Sequence, residues 1–138
     1  MDLVATFRKS LATELALRDL GVSMWRGGTR TSNHLLEIST APQATVLYVK
    51  GSSNTPGFWG LTKNQLDRLS SSNSRWLCVF LHKSSSTGYL LTGGQILSRV
   101  RDGELTLSGD GDYKVNERSE FVRPQYFEGI QALVSRAL

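Results

Sequence analysis

Apolar residues recur at helical spacing over residues 2–20, where Leu3, Val4, Phe7, Leu11, Leu15 and Leu17 mark a stripe and Gly21 follows as a stop signal. The spacing predicts a helix. Residues 22–26 read as a short strand closed by Gly27 and Gly28, the polar residues 29–33 as a turn, and residues 34–39 as an alternating second strand. Ala41, Pro42 and Gln43 break that run. The β-branched stretch 44–50 then reads as a central strand, residues 51–60 as a loop, 61–69 as a helix, and the apolar residues 75–82 as a strand covered on both faces. The order is α, β, β, β, α, β, which predicts an α/β fold with a mixed central sheet flanked by helices.

Beyond His82 the pattern weakens. It predicts a strand at 89–91, a helix at 95–101, and a hairpin of 105–107 with 113–115 around the turn Gly109-Asp110-Gly111-Asp112. A closing helix is expected over 121–138, with Phe127, Ile130, Leu133 and Val134 on its inner face. We expect one domain over residues 1–138, with a core at about 5–82 and a C-terminal extension at 83–138.

Composition narrows this picture moderately. A chain of 138 residues, 39% of them hydrophobic, is enough for one continuous core. Sixteen Lys and Arg against twelve Asp and Glu give a net charge of +4, which permits nucleic-acid binding without requiring it. A lone cysteine, Cys78, excludes an internal disulfide, and its neighbours Leu77, Val79 and Phe80 predict a buried, inert thiol. A reducing, cytoplasmic setting is expected, with no membrane association, since no apolar run reaches membrane-spanning length. Nucleophile-elbow, Walker-loop, paired CxxC and HExxH patterns are all absent.

Two side chains carry the candidate chemistry. Glu14 falls seven residues after Phe7 and three after Leu11, inside the apolar stripe, so its carboxylate is aimed inward, either toward a site or toward a partner such as Arg18 or Lys50. In the third strand Val46, Tyr48 and Lys50 share one face, so Tyr48 and Lys50 project together at the strand's exit. A lysine there suits a phosphate, or is simply a solvated strand end.

The order of these elements, with Glu14 on the first helix and Tyr48-Val49-Lys50-Gly51-Ser52 ending the third strand, resembles the PD-(D/E)XK nuclease superfamily, especially its Holliday-junction-resolvase-like members. The resemblance covers about residues 5–82 and implies a restriction-endonuclease-like αβββαβ core. In that family a helical Glu, a strand Asp and an acid-X-Lys motif hold a divalent metal and activate water against a phosphodiester. Glu14 matches the helical glutamate and Lys50 the lysine. The Pro-Asp pair aligns with Asn33 and His34, and the second acid with Tyr48, so two acidic positions are replaced. Glu37, the one carboxylate of the second strand, faces opposite to His34 on strict alternation.

The resemblance thus implies Glu14, Lys50 and Gln65 as catalytic candidates, and Glu14, His34 and Glu37 as ligands for Mg²⁺ or Mn²⁺ if cleavage survives. Nucleic-acid contacts are expected from Lys50, Arg26, Arg30 and Lys63, with Trp59 on the Gly-rich loop either offering a ring face to a base or a partner protein or packing under its own loop. The leading expectation is a nuclease-fold protein that binds nucleic acid, DNA above all, with cleavage lost or altered, acting in DNA processing or in conflict between mobile elements. The alternatives are an active metal-dependent endonuclease and a protein-interaction module such as a subunit, inhibitor or immunity protein. A protein partner or a homodimer is compatible with each.

Overall fold

The computed structural model describes residues 2–26 and 33–138. Helix α1 (Leu3–Ala16) begins at Asp2, whose carboxylate accepts the backbone N–H groups of Val4 and Ala5, two of the donors a helix start leaves open. Leu3, Val4, Phe7, Leu11 and Leu15 are buried along one face, as the spacing predicts. Leu17 is not part of that face: it caps the helix and is 76% exposed. The reversal comes from Asp19, in the left-handed region at φ 58°, rather than from Gly21.

The sheet contains β1 (Val22–Met24), β2 (Leu35–Ile38), β3 (Thr45–Ser52), β5 (Arg75–His82), β6 (Thr87–Thr92) and β8 (Tyr126–Glu128), in the order β1-β2-β3-β5-β6-β8. Only β3 and β5 pair in parallel, with Lys50 beside Phe80 and Ser52 beside His82; the other pairs are antiparallel, so the sheet is mixed. On one face α1 and α5 (Ile130–Ala137) cover Leu36, Leu47, Val49, Leu77 and Val79. On the other, α2 (Lys63–Ser71), α3 (Gly93–Arg101) and a two-stranded ribbon of β4 (Phe58–Thr62) with β7 (Asp112–Asn116) cover Leu35, Val46, Tyr48, Cys78 and Phe80. Helix α4 (Glu117–Glu120) follows β7 directly. Cys78 is fully buried, and burial pushes its thiol well above the ordinary range.

Three expectations are corrected here. The stretch 51–60 is not one loop, because β3 continues through Ser52 and Phe58–Thr62 forms β4, so α2 starts at Lys63. The hairpin expected between 105–107 and 113–115 shrinks to a single bridge, Leu107 to Tyr113, because β7 pairs with β4 instead. The closing helix is shorter: a 3₁₀ turn and β8 precede it, and Phe127 is buried from a strand that borders β6. The turn predicted at 29–33 falls outside the described residues up to Ser32.

Candidate nucleic-acid interface

Because β3 and β5 run in parallel, their carboxyl ends open on one edge of the sheet, where α/β folds commonly place ligands. The start of α1 reaches the same edge. A Cβ on Gly51 would lie 3.2 Å from that of Leu3, so glycine there lets the helix start sit against the strand beside Lys50. The result is a recess of about 260 Å³ lined by Asp2, His34, Lys50, Ser52 and Ser53, among others.

Lys50 lies on the face of Val46 and Tyr48 and is half-buried. Burial lowers its pKa from the ordinary lysine value, and the charge of Asp112 opposes this in part. Among the described residues no carboxylate stands within ion-pairing distance of its ammonium. Asp112 itself is 3.6 Å from Lys114. His34 belongs to the opposite face and meets Lys50 only at the rim, its Nδ1 lying 3.0 Å from the Val49 carbonyl. Burial and the charge of Lys50 hold its imidazole below the ordinary histidine value, against the Val49 carbonyl and Asp2.

The position matching the family's second acid is committed to structure. Tyr48 is 2% exposed, and its hydroxyl accepts the Thr62 N–H at 3.2 Å where β4 passes into α2. Burial raises its pKa, so it stays a phenol. Tyr48→Phe strands that N–H and is expected to cost about 1–2 kcal/mol in urea unfolding; an unchanged midpoint would show the bond to be idle.

The other candidates are dispersed. Glu14 is buried as expected, but it pairs with Arg18 at 3.5 Å and lies twelve residues along α1 from Asp2, about 18 Å of helix from the Lys50 edge. Glu37 pairs in register with Val46, four residues and about 13 Å of strand short of Lys50. Gln65 accepts a hydrogen bond on its amide oxygen from Arg68, which stacks over Trp25. Lys63 is exposed and bound to Asp67 at 2.6 Å. Arg26 is exposed beyond the end of β1, and Arg30 lies outside the described residues. Trp59 offers no ring face: it is 2% exposed, in β4, with its indole N–H on the Leu81 carbonyl at 3.0 Å.

Glu14, His34 and Glu37 therefore do not converge, and among the described residues no three of His, Cys, Asp and Glu are placed to share a metal ion. This donor set does not fit a hard divalent cation, which needs one or two carboxylates at a common point. Sequence reasoning gave no role to His82, which ends β5 one strand from Lys50, or to Glu117, which packs against it. For His82 the parallel strand ends were a usable signal; for Glu117 there was none.

No family model matches this chain, and no curated protein matches it. Among solved structures, Archaeoglobus fulgidus Hjc, a Holliday junction resolvase from an archaeal hyperthermophile, is similar at TM-score 0.53 and 12% identity, over 95% of this chain and 98% of that one. At that identity the likeness speaks for the fold alone. Among the described residues no helix is long and apolar enough to cross a membrane. The fold is restriction-endonuclease-like, a mixed central sheet flanked by helices.

Proposed function

We propose that this protein binds nucleic acid, DNA above all, through the Lys50 edge of a nuclease-like fold, and that it has lost the metal-dependent cleavage such a fold supports. One observation carries the reading: a half-buried lysine without a carboxylate partner among the described residues stands at the carboxyl end of the parallel strand pair. A cation at a concave edge with no carboxylate in direct contact attracts an anion with oxygens to share, and the phosphodiester backbone is the commonest such polymer. The loss of cleavage rests on the dispersed carboxylates and on Tyr48, whose hydroxyl is spent inside the fold.

The test is equilibrium binding to duplex, branched and single-stranded DNA across a salt series, with Mg²⁺ or Mn²⁺ added in parallel. Binding is expected at low salt, with log affinity falling against log salt at a slope of about −2 to −4, as for a few displaced counterions. The DNA should remain uncut with either metal. Absence of binding to all three at low salt overturns the binding reading. Metal-dependent cutting that Lys50→Ala removes overturns the loss of cleavage.

A further inference from the structure

Beside Lys50, the loop 53–57 is pinned from three directions. Ser52 Oγ accepts the N–H groups of Asn54 and Phe58 at 3.3 and 3.2 Å. Glu117 accepts the Gly57 N–H on Oε1 at 2.9 Å, and its own N–H returns to the Gly57 carbonyl at 3.0 Å. His82 stands between the two, with Nδ1 3.1 Å from Glu117 Oε2 and Nε2 2.7 Å from the Asn54 carbonyl. The pocket is tight: a Cβ on Gly57 would fall 2.4 Å from the Trp59 ring. The His82 and Glu117 side chains are only 12% and 21% exposed.

Both partners of the His82 ring are acceptors only, a carboxylate and a carbonyl. A neutral imidazole has one N–H to give and an imidazolium has two, so both contacts are hydrogen bonds only in the doubly protonated ring. We infer that His82 and Glu117 are positioning residues that latch the loop 53–57, with its Ser53, beside Lys50 for nucleic-acid binding, and that the latch holds while His82 carries both ring protons. The binding role rests on the function proposed above; the latch does not.

Charged and titratable groups reach the ring from several elements. Glu117 comes from α4, and Tyr89 from β6 donates its hydroxyl to the same carboxylate. Lys83 follows in the chain and acts on Glu117 by its charge. Lys50 lies on the adjacent strand, two residues before Ser52 and on the same face. Trp59 packs edge-on, its ring centre 5.8 Å from that of His82. Burial works to raise the Glu117 pKa, but the Tyr89 hydroxyl, the Gly57 N–H and the charges of His82 and Lys83 outweigh it and hold the carboxyl below its ordinary value. The acid partner therefore keeps its charge as pH falls toward the carboxylate range, and because the geometry uses both ring protons, the latched form is the one that lower pH favours.

The experiment is amide hydrogen exchange over 53–58 in the full chain, corrected for intrinsic rates, together with duplex DNA affinity at fixed ionic strength, each at about pH 5.5 and about pH 8. Protection at Gly57 and Phe58 is expected to fall by about tenfold at the higher pH, and affinity by about threefold. In His82→Ala and Glu117→Gln the loop should be poorly protected at both pH values, with DNA bound more weakly than by wild type at about pH 5.5. Glu117→Gln keeps the side-chain shape on a partly exposed helix, so the test stands even if His82→Ala misfolds. His34 is the only other histidine of the chain, and His34→Asn should keep the exchange profile. Protection that is the same at both pH values, or the same profile in Glu117→Gln, overturns the latch. A loop that opens as expected without a change in affinity overturns its positioning role. Failure of wild type to bind DNA at all overturns the binding reading, while the exchange profile still decides the latch.

Discussion

Trp59→Ala is expected to destabilise the fold by about 3–5 kcal/mol, the range for deleting a large buried aromatic side chain. The indole is 2% exposed and meets the rings of Phe80, His82, Tyr89 and Phe121 edge-on, at centroid distances of 5.5, 5.8, 6.2 and 5.7 Å. Alanine leaves a cavity among four rings and takes the donor away from the Leu81 carbonyl. Against a typical domain stability of about 5–15 kcal/mol, that loss brings the folded state near its limit. Trp59→Phe keeps most of the ring and loses the N–H, so about 1–2 kcal/mol is expected. Urea unfolding of the three proteins measures this; alanine and wild-type midpoints that coincide would mean the indole is not the hub described.

For binding, the largest effect is expected at Lys50. Lys50→Ala should weaken duplex DNA binding by about tenfold at low salt and flatten the salt slope by about one, the signature of one lost phosphate contact. Lys63→Ala serves as the contrast. Its ammonium is exposed and already paired with Asp67 at 2.6 Å, so removing it discards a solvated ion pair worth little, and affinity should change less than about twofold. Lys50→Arg keeps the charge but forces a larger, planar head into a half-buried site, and an intermediate affinity is expected. Equal losses at Lys50 and Lys63 would point to diffuse attraction by net charge instead of a defined contact.

The first helix was legible from its periodic apolar face, and β1, β2, β3 and β5 from short β-rich runs bounded by turn residues, with β3 and β5 buried on both faces. Element order alone therefore carried the fold class. β4 was not legible: Phe58–Thr62 is short and follows a run of Gly, Ser and Pro, and its partner strand begins fifty residues after β4 ends. With β4 unseen, Trp59 was left between a ring face for a ligand and packing under its own loop. Glu14 shows a different limit. Helical periodicity gives the angle at which a side chain leaves the axis, and that was correct, since Glu14 is buried. It does not give the height of the residue against the strand ends, and height is what separates Glu14 from Lys50. Strand alternation set Glu37 opposite His34 but gives no register between two strands, and it is the pairing of Leu35 with Tyr48 that puts His34 and Lys50 on opposite faces.

The pairing of β4 with β7 has a consequence for how the chain reaches its folded form. Residues 5–82 hold the resemblance to the nuclease core, yet one face of that core is covered partly by residues that follow, among them Ile96, Leu105, Val115 and Phe121. Until those residues exist, β4 presents an unpaired edge and the aromatic side chains beneath it are open to solvent, a state prone to sticking to other chains. Contacts that span fifty residues or more also cost the most chain entropy to close, so they are expected among the later events of folding. A chain truncated after His82 should therefore be recovered as aggregate, and on a ribosome the surroundings of Lys50 are completed only after Glu117 has emerged.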